Sequence, residues 1–197
     1  MTEHVVESER LLAVAARAGD RGAFEKLVQL HKHALYRFAR RYTGDSQDTY
    51  DIVQDSFVAA WLALRRYDER QSFAVWLRAI ALNKCRDYGR RRAVRSRFLM
   101  LFASAQDTGC ASEDDPVGYL EPVEATRLRQ LDRAIASLPQ RYKEPLLLTL
   151  ISGLTHQAAA EQLGTTTKAI EMRVRRAKAR LRIALRQSDD AELQSKP

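Results

Sequence analysis

The sequence has little cysteine and little histidine. Its 197 residues include two cysteines, Cys85 and Cys110, which form no CxxC motif, and its four histidines are scattered along the chain. A disulfide framework or a zinc site needs several such residues at short, regular spacings. We therefore expect neither of these, and we expect Cys85, which falls on the apolar side of a predicted helix, to be a core residue.

Long apolar runs and the common catalytic motifs are also missing. No apolar segment is long enough to cross a bilayer. The first residues, MTEHVVESERLL, carry acids early and lack the apolar core of a signal peptide. No Gly-rich phosphate loop, nucleophile elbow or HExxH motif occurs. We therefore expect a cytoplasmic protein without stable membrane insertion, cofactor, bound metal or catalytic residues.

Positive charge is abundant and clustered. The net charge is +8, and excess positive charge favours a polyanionic partner through the release of condensed counterions. Between Lys84 and Arg97, seven basic residues stand against one acid, Asp87. A solvated helix end is the simplest alternative, but solvated helix faces usually mix the two signs. The cluster therefore favours contact with phosphates.

Helical spacing of apolar residues dominates the chain, and no segment alternates apolar and polar residues as a half-buried strand would. Four helices are predicted in the first half, the first from Glu9 to Ala18 and the third over residues 46–66. Ser8, Asp20 and Ser72 are candidate N-caps for the first, second and fourth helices.

The composition changes between Gln106 and Glu124, where six acids occur without lysine or arginine, among prolines and glycines. Such a stretch is typical of an extended linker. Helical spacing resumes near Val123, with Pro139 at a helix start and Pro145 where a kink is expected. The sequence therefore predicts an all-α protein of two small helical domains, residues 8–97 and 123–187, joined by a flexible acidic linker over residues 98–122.

Residues 155–185 have the pattern of a helix-turn-helix, in which the second helix enters the DNA major groove. Thr155 is a predicted cap for a short helix, Gly164 makes the turn and Thr166 is a predicted cap for a long basic helix. A plain corner between two helices is the alternative, but the basic exposed face favours DNA.

Within the long helix we expect an early edge that reads bases and later residues that contact phosphates. Glu171 can accept a hydrogen bond from a cytosine amino group or pair with Arg175 one turn later. The base-reading edge comprises Lys168, Glu171, Met172 and Arg175, and the phosphate contacts are Arg173, Arg176 and Lys178, after the cap Thr166.

Two further clusters indicate binding surfaces. Aromatic residues beside cations between Tyr67 and Arg92 suit unstacked bases, although Phe73 and Trp76 taken singly are more often core residues. Asp48, Asp51 and Asp55 share one helix face and suggest a protein partner with a positive surface. Hydrated surface acids or metal ligands are the alternatives for these three, but no histidine lies within a helical turn of them.

Four stretches, in this order, resemble the extracytoplasmic function sigma factors, small two-domain members of the bacterial sigma-70 family. The opening helices of region two resemble AGDRGAFEKLVQLHKHALYRFARRYTGD, and the helix that binds core polymerase resembles DTYDIVQDSFVAAWLALRRYD. The segment that melts and reads the minus-ten element resembles SFAVWLRAIALNKCRDYGRRR. Region four resembles LPQRYKEPLLLTLISGLTHQAAAEQLGTTTKAIEMRVRRAKARLR. Together these stretches cover most of residues 10–185.

The resemblance implies roles for the two units and their residues. The long helix from Thr166 would read the minus-thirty-five element, and the loop of residues 68–72 would hold an unstacked base. Core RNA polymerase would be bound through the clamp helices of its largest subunit and the flap of its second-largest subunit, and an anti-sigma factor would control the protein. Contacts to the clamp helices would come from Asp48, Asp51, Gln54 and Asp55. Contacts to the minus-ten strand would come from Phe73, Trp76, Asn83, Arg86, Asp87, Arg90 and Arg91.

Some positions depart from the family pattern. Tyr50 stands where an acid is common, Ala158 replaces a usual glutamate, and Glu171 occupies a position where a basic residue is common. Phosphorylation of Thr49, beside Tyr50, is one hypothesis for restoring negative charge. A stand-alone helix-turn-helix regulator is the main competing reading, but it does not explain the acidic helix face or the acidic linker.

Overall fold

The computed structural model describes residues 2–44, 46–102 and 122–194. All regular structure in these residues is helical, which confirms the prediction of an all-α protein. The chain forms two compact units, one comprising Met1–Ala39 with Gln47–Ala111 and the other Arg40–Ser46 with Ser112–Pro197. Among the described residues, no helix is long and apolar enough to cross a membrane.

Four helices build the first unit. Their bounds are α1 Thr2–Arg17, α2 Arg21–Thr43, α3 Ser46–Ala63 with a 3₁₀ turn at Leu64–Arg66, and α4 Phe73–Phe102. Of these residues, only 40–43 at the end of α2 and Ser46 at the start of α3 belong to the second unit. The core is formed by large side chains with almost no exposed surface, and Cys85 is fully buried among them, as predicted. The largest of these side chains are Leu27, Leu35, Phe38, Phe73, Leu77 and Leu82.

The carboxylate of Glu9 connects three helices of this unit. It accepts a hydrogen bond from the backbone N–H of Ala74, in the first turn of α4, at 3.1 Å. His31 of α2 places its Nε2 atom 3.6 Å from the same oxygen. Burial lowers the pKa of His31, the negative charge of Glu9 opposes this, and the positive charge of Arg78 adds to the lowering. Glu9 therefore ties α1 and α2 to the start of α4.

The helix starts differ from the sequence predictions at two caps. Helix α1 begins at Thr2, so Ser8 lies inside the helix and cannot cap it; no glycine or proline precedes Ser8 to stop the helix there. The hydroxyl of Ser72 donates to Glu9 at 3.5 Å, and the side chain that accepts from the first turn of α4 is Glu9. By contrast, Asp20 accepts from the N–H of Ala23 at 3.0 Å, as predicted.

The second unit contains four helices and a π-helical turn. These are α5 Pro122–Ser137, α6 Gln140–Leu146, the π turn Leu147–Ile151, α7 His156–Leu163 and α8 Thr167–Gln194. Helices α5, α6 and α7 pack against α8. The apolar side of α8 is buried as predicted, at Ile170, Val174, Ala177 and Leu181.

Pro145 shapes the end of α6. Proline has no N–H to donate and its ring crowds the preceding turn, so a regular α-helix is disturbed around it. The helix changes to π geometry at Leu147, two residues later, and Gly153 ends the segment with a φ of 67°. The expected irregularity at Pro145 is thus confirmed.

We predict that Glu9→Ala destabilises the first unit. Loss of a helix cap costs about 1 kcal/mol, and the tie between α1 and α4 is lost with it. Both tryptophans, Trp61 and Trp76, lie in this unit, so their fluorescence during urea denaturation reports its unfolding. Glu25→Ala, at an exposed acid of α2, is the control and should leave the midpoint unchanged. Equal midpoints for the two variants would contradict a capping role for Glu9.

Candidate nucleic-acid and protein interfaces

The predicted acidic cluster of α3 is divided by the structure. Asp51, Gln54 and Asp55 are exposed on the helix surface, and we call these three residues the acidic face. Asp48 is half-buried, and its carboxylate accepts a short hydrogen bond from the hydroxyl of Tyr88 on α4. Asp48 therefore joins two helices of the unit and is engaged within the protein, unlike the other three.

Two exposed apolar residues continue the acidic face. Val58 is 59% exposed and Leu62 is 77% exposed, and they follow Asp51 and Asp55 by seven residues each. Since residues seven apart lie on the same side of a helix, the face changes from acidic to apolar along α3. Sequence reasoning missed both residues, although their position off the buried stripe of α3 was a usable signal.

The residues next to Asp51 have different environments. Thr49 has no exposed surface, so the folded unit does not offer its hydroxyl to a kinase, and the phosphorylation hypothesis loses its structural basis. Tyr50 is 42% exposed, and its ring centroid lies 4.9 Å from that of Tyr36. The aromatic ring that replaces the usual acid thus rests against α2 at the edge of the acidic face.

Most of the residues predicted to contact the minus-ten strand lie along helix α4. Trp76, Asn83, Asp87 and Arg90 are separated by seven, four and three residues, so they share one side of the helix, which we call the minus-ten face after the contact predicted for it. Asn83, Arg90 and its neighbour Arg91 are exposed, whereas Trp76, Asp87 and Arg86 are half-buried.

Phe73 does not belong to this surface. It is 1% exposed, and its ring packs against Tyr67, Trp76 and His31 at centroid distances of 5.7, 5.6 and 5.5 Å. A buried ring cannot stack on a base, so the prediction that Phe73 contacts DNA is wrong. The burial tendency of phenylalanine outweighed its position in a basic stretch.

Pairing within α4 reduces its free charge. The carboxylate of Asp87 forms an ion pair with the exposed Arg90, and Arg86 donates to the side-chain oxygen of Asn83 at 3.2 Å. Arg92 donates to the hydroxyl of Tyr88 at 3.2 Å. These contacts hold the polar side chains in fixed positions along the surface of the helix. Arg91 makes none of the described ion pairs and extends from this surface as a free cation.

The helix-turn-helix forms as predicted. The hydroxyl oxygen of Thr155 accepts from the N–H of Ala158 at 3.1 Å, and that of Thr166 accepts from the N–H of Ala169 at 3.2 Å. Gly164 adopts the left-handed conformation with φ 62° between the two helices, where a residue with a Cβ atom would be strained. Thr166 therefore caps α8.

The predicted DNA contacts of α8 are largely exposed. Arg173 is half-buried, while the other predicted side chains are exposed, and so is Arg182, seven residues after Arg175. Arg182 was not among the predicted contacts. Lys168, Arg175 and Arg182 follow one another at intervals of seven residues, and this spacing was a signal for it in the sequence. The exposed predicted residues are Thr166, Lys168, Glu171, Met172, Arg175, Arg176 and Lys178.

Two of these side chains interact with other parts of the unit. A carboxylate oxygen of Glu171 lies 4.0 Å from Nδ1 of His156 on α7, so the described contact of Glu171 is across the motif and not to Arg175. Burial opposes the lowering of the pKa of Tyr142 on α6, and the positive charges of Arg141, Arg176 and Arg180 lower this pKa. The guanidinium of Arg180 lies 5.0 Å from the centroid of the Tyr142 ring. The basic side of α8 therefore acts on Tyr142, Arg176 through its charge and Arg180 also through contact with the ring.

Family models match both units. The model described as Sigma-70 region 2 matches residues 27–95, and the model described as Sigma-70, region 4 matches residues 128–181. The first match includes the acidic face and the minus-ten face, and the second includes the helix-turn-helix as far as Leu181.

Two relatives match almost end to end. The RNA polymerase sigma factor NccH of Alcaligenes xylosoxydans xylosoxydans is 39% identical over 180 residues, which cover 91% of this chain and 96% of that protein. The RNA polymerase sigma factor CnrH of Cupriavidus metallidurans is 36% identical over 178 residues, which cover 89% and 93%. A solved structure of CnrH in complex with the cytosolic domain of CnrY superposes with a TM-score of 0.66 at 32% identity, covering 91% of this chain and 98% of that one.

We predict that Tyr88→Phe removes a stabilising bond between α3 and α4. Burial, and then the hydrogen bond to Asp48, raise the pKa of Tyr88 to about 12. Because this folded-state pKa lies above the ordinary value of 10, the bond stabilises the fold fully below about pH 10, and this stabilisation is lost as pH rises towards 12. The substitution should cost about 1 kcal/mol at neutral pH.

The measurement combines urea denaturation with an ultraviolet titration of the tyrosines. Tyr88→Phe should remove absorbance change from the high-pH end of the titration, and Asp48→Asn should shift that change to lower pH. A titration of Tyr88→Phe that keeps the full high-pH change would rule out the assignment.

Proposed function

This chain belongs to the sigma-70 family as an RNA polymerase sigma factor of the extracytoplasmic function group, and we propose how its two units divide the work of starting transcription. It binds core RNA polymerase and directs promoter-specific initiation, and it is an initiation factor, not an enzyme. In this proposal residues 8–97 bind polymerase and the minus-ten element, residues 123–187 bind the minus-thirty-five element, and residues 98–122 link them.

Polymerase binding is assigned to the exposed side of α3. The acidic face supplies negative charge for a basic partner surface, and Val58 and Leu62 supply apolar area beside it. A contact that combines a desolvated apolar centre with charged surroundings has the usual composition of a protein interface. Asp51, Gln54 and Asp55 then meet the clamp helices of the largest subunit, and Asp48 supports the surface through Tyr88.

Promoter recognition is assigned to α4 and α8. The minus-ten face offers an amide, a half-buried indole and the cation of Arg90, with the cation of Arg91 beside it, and this chemistry suits unpaired bases and their phosphates. The exposed edge of α8 starts at a capped N-terminus, as a major-groove recognition helix does. Glu171 lies in that edge and brings a carboxylate that can accept from a cytosine amino group.

Control by an anti-sigma factor follows from the relatives. CnrH was solved in complex with the cytosolic domain of CnrY, and this chain covers nearly all of CnrH. We propose that an anti-sigma factor holds this protein in the cytoplasm until a stress or envelope signal releases it. The flap of the second-largest polymerase subunit is the proposed partner of the second unit.

Reconstituted transcription tests the function. The purified chain is added to core RNA polymerase with a library of promoter fragments, and runoff transcripts are sequenced. We expect transcripts from a small set of promoters that share two spaced elements, and none from core polymerase alone. Tight duplex binding by the chain alone, with no effect on polymerase, would instead indicate a stand-alone regulator.

We predict that the α3 surface carries polymerase affinity. Asp55→Ala and Leu62→Ala should each weaken binding to core polymerase about tenfold, which corresponds to about 1.4 kcal/mol. The effect of Asp55→Ala should shrink as salt rises, because salt screens exposed charges, while the effect of Leu62→Ala should persist.

Fluorescence anisotropy of the labelled chain, titrated with core polymerase, measures the dissociation constant of each variant. Glu25→Ala, at an exposed acid of α2, is the charge-matched control. Wild-type affinity in both α3 variants would exclude this surface as the polymerase contact.

A further inference from the structure

A single acid interrupts the basic surface of α8. Between Thr166 and Arg186 the sequence has eight basic residues and one acid, Glu171. Glu171 is exposed, and it shares one side of α8 with Lys168, three residues before it, and Arg175, four residues after it. This side is the one predicted to read bases, so the position of the Glu171 carboxylate bears on which base pair the helix prefers.

The carboxylate of Glu171 faces α7 and not its neighbours along α8. Opposite charges three or four residues apart on a helix can form ion pairs. Among the residues that the structure describes, however, Glu171 forms no ion pair with Lys168 or Arg175. Its Oε1 atom lies 4.0 Å from Nδ1 of His156 instead, and His156 is the only histidine in the sequence of the second unit.

The backbone position of His156 beside the recognition helix is well defined. His156 is the first residue of α7 and directly follows Thr155, whose hydroxyl oxygen caps the helix by accepting from the N–H of Ala158. Ala159 and Ala160 of α7 are buried, and α7 packs against α8. The imidazole therefore reaches Glu171 from a point that the cap and the packing of α7 determine.

The contact between His156 and Glu171 is open to a ligand. Their side chains are 44% and 57% exposed, and neither forms another ion pair or a side-chain hydrogen bond within the described part of the chain. An exposed contact of this kind adds little to the stability of a fold. Its consequence is therefore for the orientation of the Glu171 carboxylate on the surface that meets DNA.

DNA gives a donor beside Glu171 a purpose. A recognition helix brings its early residues to the base edges, and the first helix of the motif crosses the DNA backbone. Phosphates repel a carboxylate that enters the groove. An imidazole nitrogen that donates to the carboxylate, or a protonated imidazole, offsets this repulsion, and the attraction strengthens when DNA displaces water from the pair.

We propose that His156 is a positioning residue for base recognition and holds the Glu171 carboxylate against the amino group of one cytosine in the minus-thirty-five element. The proposal rests on the sigma-factor function above and names the pair of residues that sets the preference at one base pair. His156 was not among the predicted DNA contacts, because the spacing of residues within α8 carries no information about which side chain of α7 lies beside it.

A series of base substitutions tests the pair in the assembled holoenzyme. The full chain is bound to core polymerase and to a fluorescent promoter recovered from the transcription experiment above. Unlabelled promoters, each with one base pair of the minus-thirty-five element replaced, compete for binding. Glu171→Ala should lower the preference for cytosine at one base pair about tenfold, as expected for a lost base contact. His156→Ala should lower the preference at the same base pair about threefold, because the carboxylate is kept but is less well placed.

A double variant and a conservative variant separate positioning from a contact of its own. Because His156 acts through Glu171, His156→Ala should cause no further loss of preference in the Glu171→Ala background. His156→Gln keeps a side-chain donor and should restore part of the preference. Additive losses in the double variant, or a loss at a different base pair in His156→Ala, would overturn the proposal.

Two controls address the fold and the alternative partner. His33→Ala removes an exposed histidine of α2 and should keep every base preference. Alanine suits a helix, so thermal unfolding of His156→Ala, followed by circular dichroism, should match that of the wild type. A preference that is lost in Arg175→Ala and kept in His156→Ala would assign the carboxylate to Arg175 and reject the role of His156.

Failure of this inference is distinguishable from failure of the sigma-factor function. Promoter-specific transcripts from the wild type, with base preferences of His156→Ala equal to those of the wild type, would reject the role of His156 alone. Absence of promoter-specific transcripts from the wild type would reject the sigma-factor function itself.

Discussion

The first unit depends on the carboxylate of Glu9 at the start of α4. The first N–H groups of a helix have no partner inside the helix and carry the positive end of its dipole, so an acceptor with negative charge stabilises them. Glu9 supplies that acceptor from α1 and also faces His31 of α2. The same contact fixes where α4 begins, and therefore where its exposed polar side and the loop before it lie relative to α1.

Some charged side chains on the surface of this protein are paired with other residues, and others are not. The surface acids and arginines that contact another part of the protein, such as Asp48 with Tyr88 and Arg17 with Glu69, hold the shape of a surface. Those left without such a contact, such as Asp55 and Arg91, remain available for a partner. Since exposed ion pairs add little stability, leaving these charges unpaired costs the fold little.

The helix-turn-helix unit follows local rules closely. Two threonine caps and a left-handed glycine set the ends of α7 and α8, and a buried stripe from Ile170 to Leu181 packs α8 against the other helices. Its basic surface is less uniform than its composition suggests, because Arg180 also lies over the ring of Tyr142. Glu171 is exposed on the same edge and faces His156. The edge therefore carries a negative charge among its positive ones.

The sequence by itself determined the all-α class, the caps at Asp20, Thr155 and Thr166, the turn at Gly164 and the buried face of α8, because these features depend on residues within a few positions of one another. Only the tertiary structure decided that Phe73 is core, that Asp48 is bound to Tyr88, and that Glu9 caps α4 in place of Ser72. It also brought Arg17 of α1 to Glu69 in the loop before α4. These outcomes depend on contacts between residues 40 to 65 positions apart, and periodicity and local propensity carry no information about which distant side chain will arrive.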